Sequence, residues 1–531
     1  MKRQRWFLWV VLVALTLACA AAWARPGGGS SFRGGSSGGS SGGRSGSSGG
    51  SSRGSSGGSS GGSGGSYGGS SGGSSGSSGG SSGSGGTYGG SGGSVVGGVA
   101  AVVGLVGLGV PLLAVALLVW LLARRSTQRY QDWNTSPAPA PEPQAPSLRL
   151  ALEGLRTEDP NFSMVLFEDF LYALYAETHT SRGRGTLARM SAYVSPDAQA
   201  TLTSPGLADV RDIVVGSATL TDVALDGPET SVTVAFETNY TEVAPNGAQQ
   251  SYYGMEHWTL GRRRGVLSRT PDRARVFACP SCGAPLDTVM AGVCTHCRQD
   301  VSSGAFDWVV GRVVLVERSA RGPMLTTEVA EEGTDLATLV DPNAASGLQA
   351  VSAKDPSFSW GSFQSRVALV FSEFQVAWAA RDLAKMRPHL SDRLFQTQTY
   401  WVQAYLQQRL RNVTENPRIH GIELARVSSD RFYDAITVRL FASSLDYTLS
   451  DQDGRVVCGS RTKERRYTEY WTFIRGSQRK GPTRTELSCP NCGGPLAINM
   501  AGHCNYCQVK VTTGEFDWVL SKIEQDEVYG G

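Results

Sequence analysis

Two stretches of the chain are nearly the same, and they decide the fold. Residues 279–310 read CPSCGAPLDTVMAGVCTHCRQDVSSGAFDWVV, and residues 489–520 read CPNCGGPLAINMAGHCNYCQVKVTTGEFDWVL, with 17 of 32 positions identical. Each stretch holds two Cys-x-x-Cys pairs with 11 residues between them. Because this repeat recurs after 210 residues, it indicates duplicated domains and not the short units of a solenoid.

The cysteines of the repeat form two four-thiol groups. The first group is Cys279, Cys282, Cys294 and Cys297, and the second is Cys489, Cys492, Cys504 and Cys507. One Cys-x-x-Cys turn directs two thiolates at an ion and the second completes a tetrahedron, so we predict two structural zinc ions. Disulfides, a redox motif and an iron–sulfur centre are the alternatives. His296 and His503 are interpreted as loop residues, and Cys458 as a free cysteine.

The repeat extends to the N-terminal side of each cysteine group. The sequence DPNFS at 159–163 recurs as DPSFS at 355–359, and a Trp-Thr pair occurs at Trp258 and again at Trp471. In both copies the cysteine group lies between this Trp-Thr segment and a Phe-Asp-Trp segment. We therefore predict a metal-clamped insertion between two adjacent strands, with the tryptophans in the core.

Helices precede strands in each copy. In the second copy, Ser359 is predicted as the N-cap of a helix whose apolar residues continue to Trp378, and another helix is predicted over 392–411. The first copy has a counterpart long helix over 162–178. Strands are predicted over 419–427, 433–445, 467–475 and 516–523, with a turn at Asp453-Gly454. Helices followed by an antiparallel sheet indicate an α+β fold.

The first 147 residues have a different character. Residues 1–24 combine a basic start, an apolar run and an Ala-Trp-Ala site, which is typical of a signal peptide. Lipidation at Cys19 and an uncleaved anchor are the alternatives. Gly and Ser fill 61 of the 68 positions from 27 to 94, which predicts a disordered tract over 25–94. Residues 95–123 hold no charge and predict one transmembrane helix. A Pro-rich linker follows over 124–147.

The charges indicate topology and limit the class of partner. Arg124, Arg125 and Arg129 follow the apolar segment, so the positive-inside rule places residues 124–531 in the cytoplasm and the Gly/Ser tract outside. Residues 1–94 carry seven basic and no acidic residues, so the net charge of +3 leaves 3 − 7 = −4 for the remainder. A mildly acidic body argues against nucleic acid as a partner. The basic residues around the cysteine groups are interpreted as solvated loop residues. They are Arg262, Arg263, Arg264, Arg269, Arg273 and Arg275 at the first group, and Arg475, Arg479, Lys480 and Arg484 at the second.

The order of these motifs resembles the mitochondrial import inner-membrane translocase subunit 44-like domain and its bacterial relatives. In the second copy the resemblance rests on DPSFS at 355–359, Arg381-Asp382-Leu383, EYWTF at 469–473 and WVL at 518–520. It implies two tandem cones of the nuclear transport factor two-like class, in which helices pack on a curved antiparallel sheet. The domains implied are 148–318 with a zinc ribbon at 279–297, a linker at 319–346, and 347–525 with a zinc ribbon at 489–507.

The fold does not by itself transfer a function, but the predicted anchor, the tandem domains, the structural metal sites and the lack of a catalytic constellation indicate one. We expect a scaffold or adaptor anchored in the bacterial inner membrane that binds protein partners or the membrane surface and is not an enzyme. The bilayer contact would run through 95–123, and residues 148–155 are interpreted as a packing helix. A small-molecule-binding or catalytic cone is the alternative, with His257, Asp169 or Glu256 as candidate acid–base groups. A zinc ribbon that binds nucleic acid is a third hypothesis.

Overall fold

The computed structural model describes residues 148–204, 206–326, 333–526 and 528–531. The predicted signal peptide (1–24), Gly/Ser tract (25–94), transmembrane helix (95–123) and Pro-rich linker (124–147) lie outside these residues. Within the described residues, two helix-and-sheet modules follow one another along the chain.

The N-terminal module places three helices before a four-stranded sheet. The helices are α1 (Leu148–Glu153), α2 (Met164–Gly183) and α3 (Pro196–Leu202). The sheet strands are β1 (Asp209–Ala224), β2 (Glu229–Val243), β3 (Gln249–Arg263) and β6 (Val309–Ser319), and the short hairpin strands β4 (Val289–Met290) and β5 (Val293–Cys294) lie between β3 and β6. The sheet is antiparallel in the order β1-β2-β3-β6.

The C-terminal module has the same plan. Its helices are α4 (Ala344–Lys354), α5 (Trp360–Ala380), α6 (Leu383–Met386) and α7 (Asp392–Gln407). Its strands are β7 (Leu410–Ser429), β8 (Tyr433–Ser450), β9 (Val456–Gly476) and β10 (Val519–Gln525). They pair antiparallel in the order β7-β8-β9-β10. The α+β fold class is therefore confirmed, and each cysteine group lies in the connection from the third strand to the fourth.

The long helix of the C-terminal module follows its sequence pattern closely. The side chain of Ser359 accepts a hydrogen bond from the Ser362 backbone N–H at 3.1 Å, which caps α5 as predicted. The apolar side of α5 packs on the sheet, with the rings of Phe363 and Phe473 5.6 Å apart. Trp471 is fully buried in the same core. Burial of apolar surface, to which these large aromatic rings contribute, is the dominant favourable term in folding.

Several predicted boundaries in the C-terminal module are wrong, and the third strand, predicted over 467–475, begins at Val456. The helix predicted to end at residue 411 ends at Gln407, and β7 begins at Leu410 and runs through Pro417. The strand tolerates this proline because it lies at the edge of the sheet, where the pairing with β8 shifts register between Glu415 and Arg418. At a bulge in an edge strand, the missing N–H of proline removes no ladder hydrogen bond.

A buried ion pair occupies the same place in both modules. Asp159, from the repeated Asp-Pro motif, lies 3.0 Å from the Arg262 guanidinium, and Asp355 lies 2.9 Å from that of Arg475. Each arginine also stacks on a tryptophan of the Phe-Asp-Trp motif at 4.7 Å, Trp308 or Trp518. The prediction that Arg262 and Arg475 belong to solvated loops is therefore wrong: they join the start of the long helix, the end of the third strand and the start of the fourth.

We expect Asp355→Ala to lower the free energy of unfolding by about 3 kcal/mol, because it leaves the Arg475 guanidinium buried without its counter-ion. The matched control is Asp451→Ala, which removes the partner of Arg381 from a half-exposed pair and should cost less than about 1 kcal/mol. Urea denaturation of the full chain measures both. Equal losses would contradict the importance assigned to the buried pair.

The two modules meet at a buried carboxylate. All described residues fall in one body of the chain, and Glu168 of α2 points from the N-terminal module toward the C-terminal one. Its Oε2 accepts from Arg393 Nη1 of α7 at 3.0 Å, and its Oε1 lies 3.4 Å from Lys522 Nζ of β10 and also accepts from Arg149. Burial alone raises the pKa of Glu168, but these three positive charges outweigh burial and hold the pKa well below its usual range.

We expect Glu168→Gln to lower the free energy of unfolding at pH 7 by about 3 kcal/mol, because the variant leaves buried cations uncompensated. A depressed pKa in the folded state contributes stability above the unfolded pKa, and this contribution is lost as the pH falls. The difference between wild type and variant should therefore narrow below about pH 4. Glu177→Gln, at an exposed position of the same helix, is the control. A difference that stays constant down to about pH 2 would contradict this role.

The predicted cellular placement is corrected. Across the part of the chain that the structure describes, no helix combines the length and the apolar character needed to cross a bilayer. The prediction of a single-pass inner-membrane protein with a cytoplasmic body is therefore not retained.

Candidate metal centres

Each four-cysteine group is built from two tight turns. In the first turn of each group, the backbone N–H of Cys279 donates to Ala284 O, and that of Cys489 donates to Gly494 O, both at 2.7 Å. The glycine after the second cysteine adopts a positive φ, +80° at Gly283. A residue with a side chain is strained in this conformation, which explains why glycine follows the Cys-Pro-x-Cys sequence.

The turns bring the four thiols of each group together. All four Sγ atoms of a group lie within 4.8 Å of one another. The Sγ atoms of Cys279 and Cys297 are 3.8 Å apart, and those of Cys489 and Cys507 are 3.9 Å apart. Tetrahedral zinc with Zn–S bonds of about 2.3 Å requires sulfur–sulfur separations of about 3.8 Å, so both groups fit such an ion. The spacing is much longer than the sulfur–sulfur bond of a disulfide.

The surroundings of the sulfurs differ within each group. Burial raises the pKa of Cys279 to about 12 and that of Cys489 to about 11. The backbone N–H of Cys297 lowers the pKa of Cys294 to about 6, and the side-chain amide of Asn491 lowers the pKa of Cys507 to about 6. Cys294 and Cys507 thus ionise more readily than an ordinary thiol, and a bound cation would favour ionisation of the buried Cys279 and Cys489.

Each hairpin is fastened to the helices of its own module. In the N-terminal module the backbone N–H of Gly292 donates to Ser191 Oγ at 3.2 Å, and in the C-terminal module Arg387 Nε donates to Met500 O at 2.9 Å. Ser191 belongs to the short 3₁₀ helix Leu187–Ala192, which precedes α3. Arg387 belongs to the 3₁₀ helix Arg387–His389, which precedes α7. A metal ion at either group would thus stiffen a link between the helices and the connection from the third to the fourth strand.

The remaining sequence candidates at the cysteine groups lie outside the ligand sets. His296 is exposed and His503 is half-buried, and the two groups of ligand atoms consist of cysteines alone. Cys458 is buried on β9 opposite Thr448, away from both groups.

The three acid–base candidates are not brought together. Glu256 and His257 are consecutive on β3, so their side chains lie on opposite faces of the sheet. Asp169 lies 3.5 Å from Arg393 Nε at the contact between the modules, and burial raises its pKa.

The Glu256 carboxylate is engaged within the core. It accepts from Trp258 Nε1 at 2.7 Å and Tyr175 Oη at 3.0 Å, and its Oε2 lies 3.4 Å from His179 Nε2. Sequence reasoning missed Tyr175 and His179, although their spacing of four places them on one face of α2. Glu469 accepts from Trp471 Nε1 at 2.9 Å in the C-terminal module. The hydrogen bond from tryptophan to glutamate recurs with the fold, which favours a structural role for this contact, whereas Tyr175 and His179 correspond to Phe371 and Gln375 in the second copy.

We expect the purified full chain to carry two zinc ions, and Cys489→Ser to carry one, because three thiolates bind zinc much more weakly than four. Cys458→Ser is the matched control and should keep both ions. Elemental analysis after gel filtration measures the metal content. Two ions in the Cys489→Ser chain would contradict the second centre.

One comparison with known proteins matches part of the chain to a family model. Residues 344–483 match the family model described as the Tim44-like domain, which confirms the resemblance over the C-terminal module up to six residues before Cys489. A second such domain over 148–318 stays a prediction. A solved structure described as an Ntf2-like protein involved in plasmid conjugation matches with 8% identity, 59% coverage of this chain, 91% coverage of that chain and a TM-score of 0.17. This likeness supports no inference about function. The comparison with curated proteins found no match.

Proposed function

We propose that the chain is a binding scaffold in which two metal-clamped modules hold a partner protein. The observation that carries this proposal is the pair of four-thiol groups at the same place in both modules. A four-thiolate site leaves no coordination position for a water or a substrate, so its role is structural. The Tim44-like match over 344–483 supports an interaction role for the C-terminal module.

We propose zinc as the metal in both groups. Four soft thiolates in tetrahedral arrangement suit zinc and also iron–sulfur clusters. The two differ in colour, because zinc thiolates do not absorb visible light whereas the clusters do. A brown protein with stoichiometric iron and sulfide would contradict zinc.

We propose a role without catalysis. The buried Glu256 is engaged by the Trp258 indole and the Tyr175 hydroxyl, and Asp169 faces Arg393. These carboxylates stabilise the fold and the module contact. Glu256 lies beside His179, but both residues are only 1% exposed, so a substrate would not reach the pair.

Cross-linking of the tagged full chain in its native cells, followed by binding of the identified partner to the purified chain, tests the scaffold function. We expect saturable binding to the wild type that Cys458→Ser retains and Cys489→Ser weakens at least tenfold, because loss of the ion loosens the C-terminal module. Binding should change little with salt. No partner enriched over an untagged control, or a steep salt-dependent affinity for RNA or DNA, would contradict the proposal.

A further inference from the structure

The fourth strands of the two modules have very different surroundings. The alignment of the repeat places Val314, Leu315 and Val316 of β6 opposite Glu524, Gln525 and Asp526 of the second copy. β10 reaches the module contact through Lys522, which lies 3.4 Å from Glu168, and Gln525 of the same strand is 4% exposed. In β6 the three apolar residues are 38%, 46% and 51% exposed. At these positions β10, which is covered, is polar, and β6, which is exposed, is apolar. Burial normally favours apolar residues in the covered strand and polar residues in the exposed one.

The outer edge of β6 is paired only at its beginning. Val310 N donates to Tyr193 O at 2.8 Å, and Val310 O accepts from Ser195 N at 2.9 Å. The chain then leaves the edge at Pro196, where α3 begins. Beyond this point β6 is the last strand of its sheet, and no strand within the described residues pairs with its outer side. The backbone groups on that side are available to a further strand.

The shape of the exposed surface determines what can cover it. Val314 pairs with His257 of β3, and Leu315 pairs with Glu256, so the two side chains lie on opposite faces of the sheet. A helix or a flat protein surface would cover one of these faces. A strand added to the edge contacts both faces and also pairs the backbone.

Charge selects the chemistry of the added strand. Arg312 is exposed and has no ion pair with any residue that the structure describes, whereas Arg318 is bonded to Glu242 at 2.8 Å. A carboxylate on the added strand would neutralise Arg312. A second copy of β6 fits less well, because an antiparallel pair centred on Leu315 sets Arg312 opposite Arg318 of the other copy. Glu242 is already bonded to that Arg318, so Arg312 would gain no counter-ion.

We propose that residues 312–319, the β6 edge, bind an extended segment of a partner protein by strand addition, with apolar residues against Val314 and Leu315 and a carboxylate against Arg312. This inference rests on the proposed scaffold function and names the surface that performs it.

A peptide of about nine residues, with consecutive Val and Ile at its centre and Glu at one end, is the probe. A matched peptide carries Lys in place of Glu. We expect fluorescence anisotropy to show binding of the Glu peptide to the full chain with a Kd of about 10 μM. Leu315→Lys should weaken binding at least tenfold, and Arg312→Ala should remove the preference for Glu over Lys. Val376→Lys, at a 51% exposed position of α5, is the control and should bind as the wild type does.

Hydrogen exchange supplies the second measurement. The bound Glu peptide should protect amides within residues 312–319. No saturable binding of either peptide up to about 1 mM overturns the inference, as does equal binding by wild type and Leu315→Lys. A concentration-dependent dimer that Leu315→Lys abolishes would assign the edge to a second copy and overturn the partner assignment. If the cross-linked partner binds the Leu315→Lys chain as well as the wild type, the assignment of the β6 edge as the binding surface is overturned, but the scaffold function is not. If no partner is found, the scaffold function is overturned.

Discussion

Each module is closed by a buried carboxylate–guanidinium pair stacked on a tryptophan. Asp159 with Arg262, and Asp355 with Arg475, join three segments that are distant in sequence: the loop before the long helix, the end of the third strand and the start of the fourth. An unpaired guanidinium at these depths would be strongly unfavourable, so the three segments have to meet. The connection that holds each cysteine group begins at the end of the third strand and ends at the start of the fourth. The ion pair therefore fixes both ends of this connection.

The four-thiol groups link metal binding to the folding of each module. Four sulfurs held within 4.8 Å repel one another once ionised, and a divalent cation removes that repulsion. The hairpin contacts at Ser191 and Arg387 connect each group to the helices of its module. Metal binding and folding of the module are thereby linked, as in other small thiolate sites.

The sequence predicted features whose cause is local. The Ser359 cap, the apolar face of α5 and the turn at Asp453-Gly454 follow from short-range patterns, and the structure confirms them. The spacing of the cysteines predicted which thiols meet, because each turn is set by a few neighbouring residues.

Features formed between distant segments were not predicted. Glu168 meets Arg393 across 225 residues, and periodicity along one helix does not show which module will cover it. The burial of Arg262 and Arg475 was missed for the same reason. A basic residue near a loop is predicted to be solvated unless the carboxylate that pairs with it is known. The start of β7 was missed because Pro417 is a strand breaker everywhere except at an edge bulge.

The contact through Glu168 uses different elements of the two modules. Helix α2 of the N-terminal module meets α7 and β10 of the C-terminal module. Such a heterologous contact, unlike a twofold one, does not close on itself. The two modules therefore expose different surfaces, although their sequences repeat one pattern. A partner that recognises the exposed edge of β6 would therefore meet a different surface on β10, which lies at the module contact within the described residues.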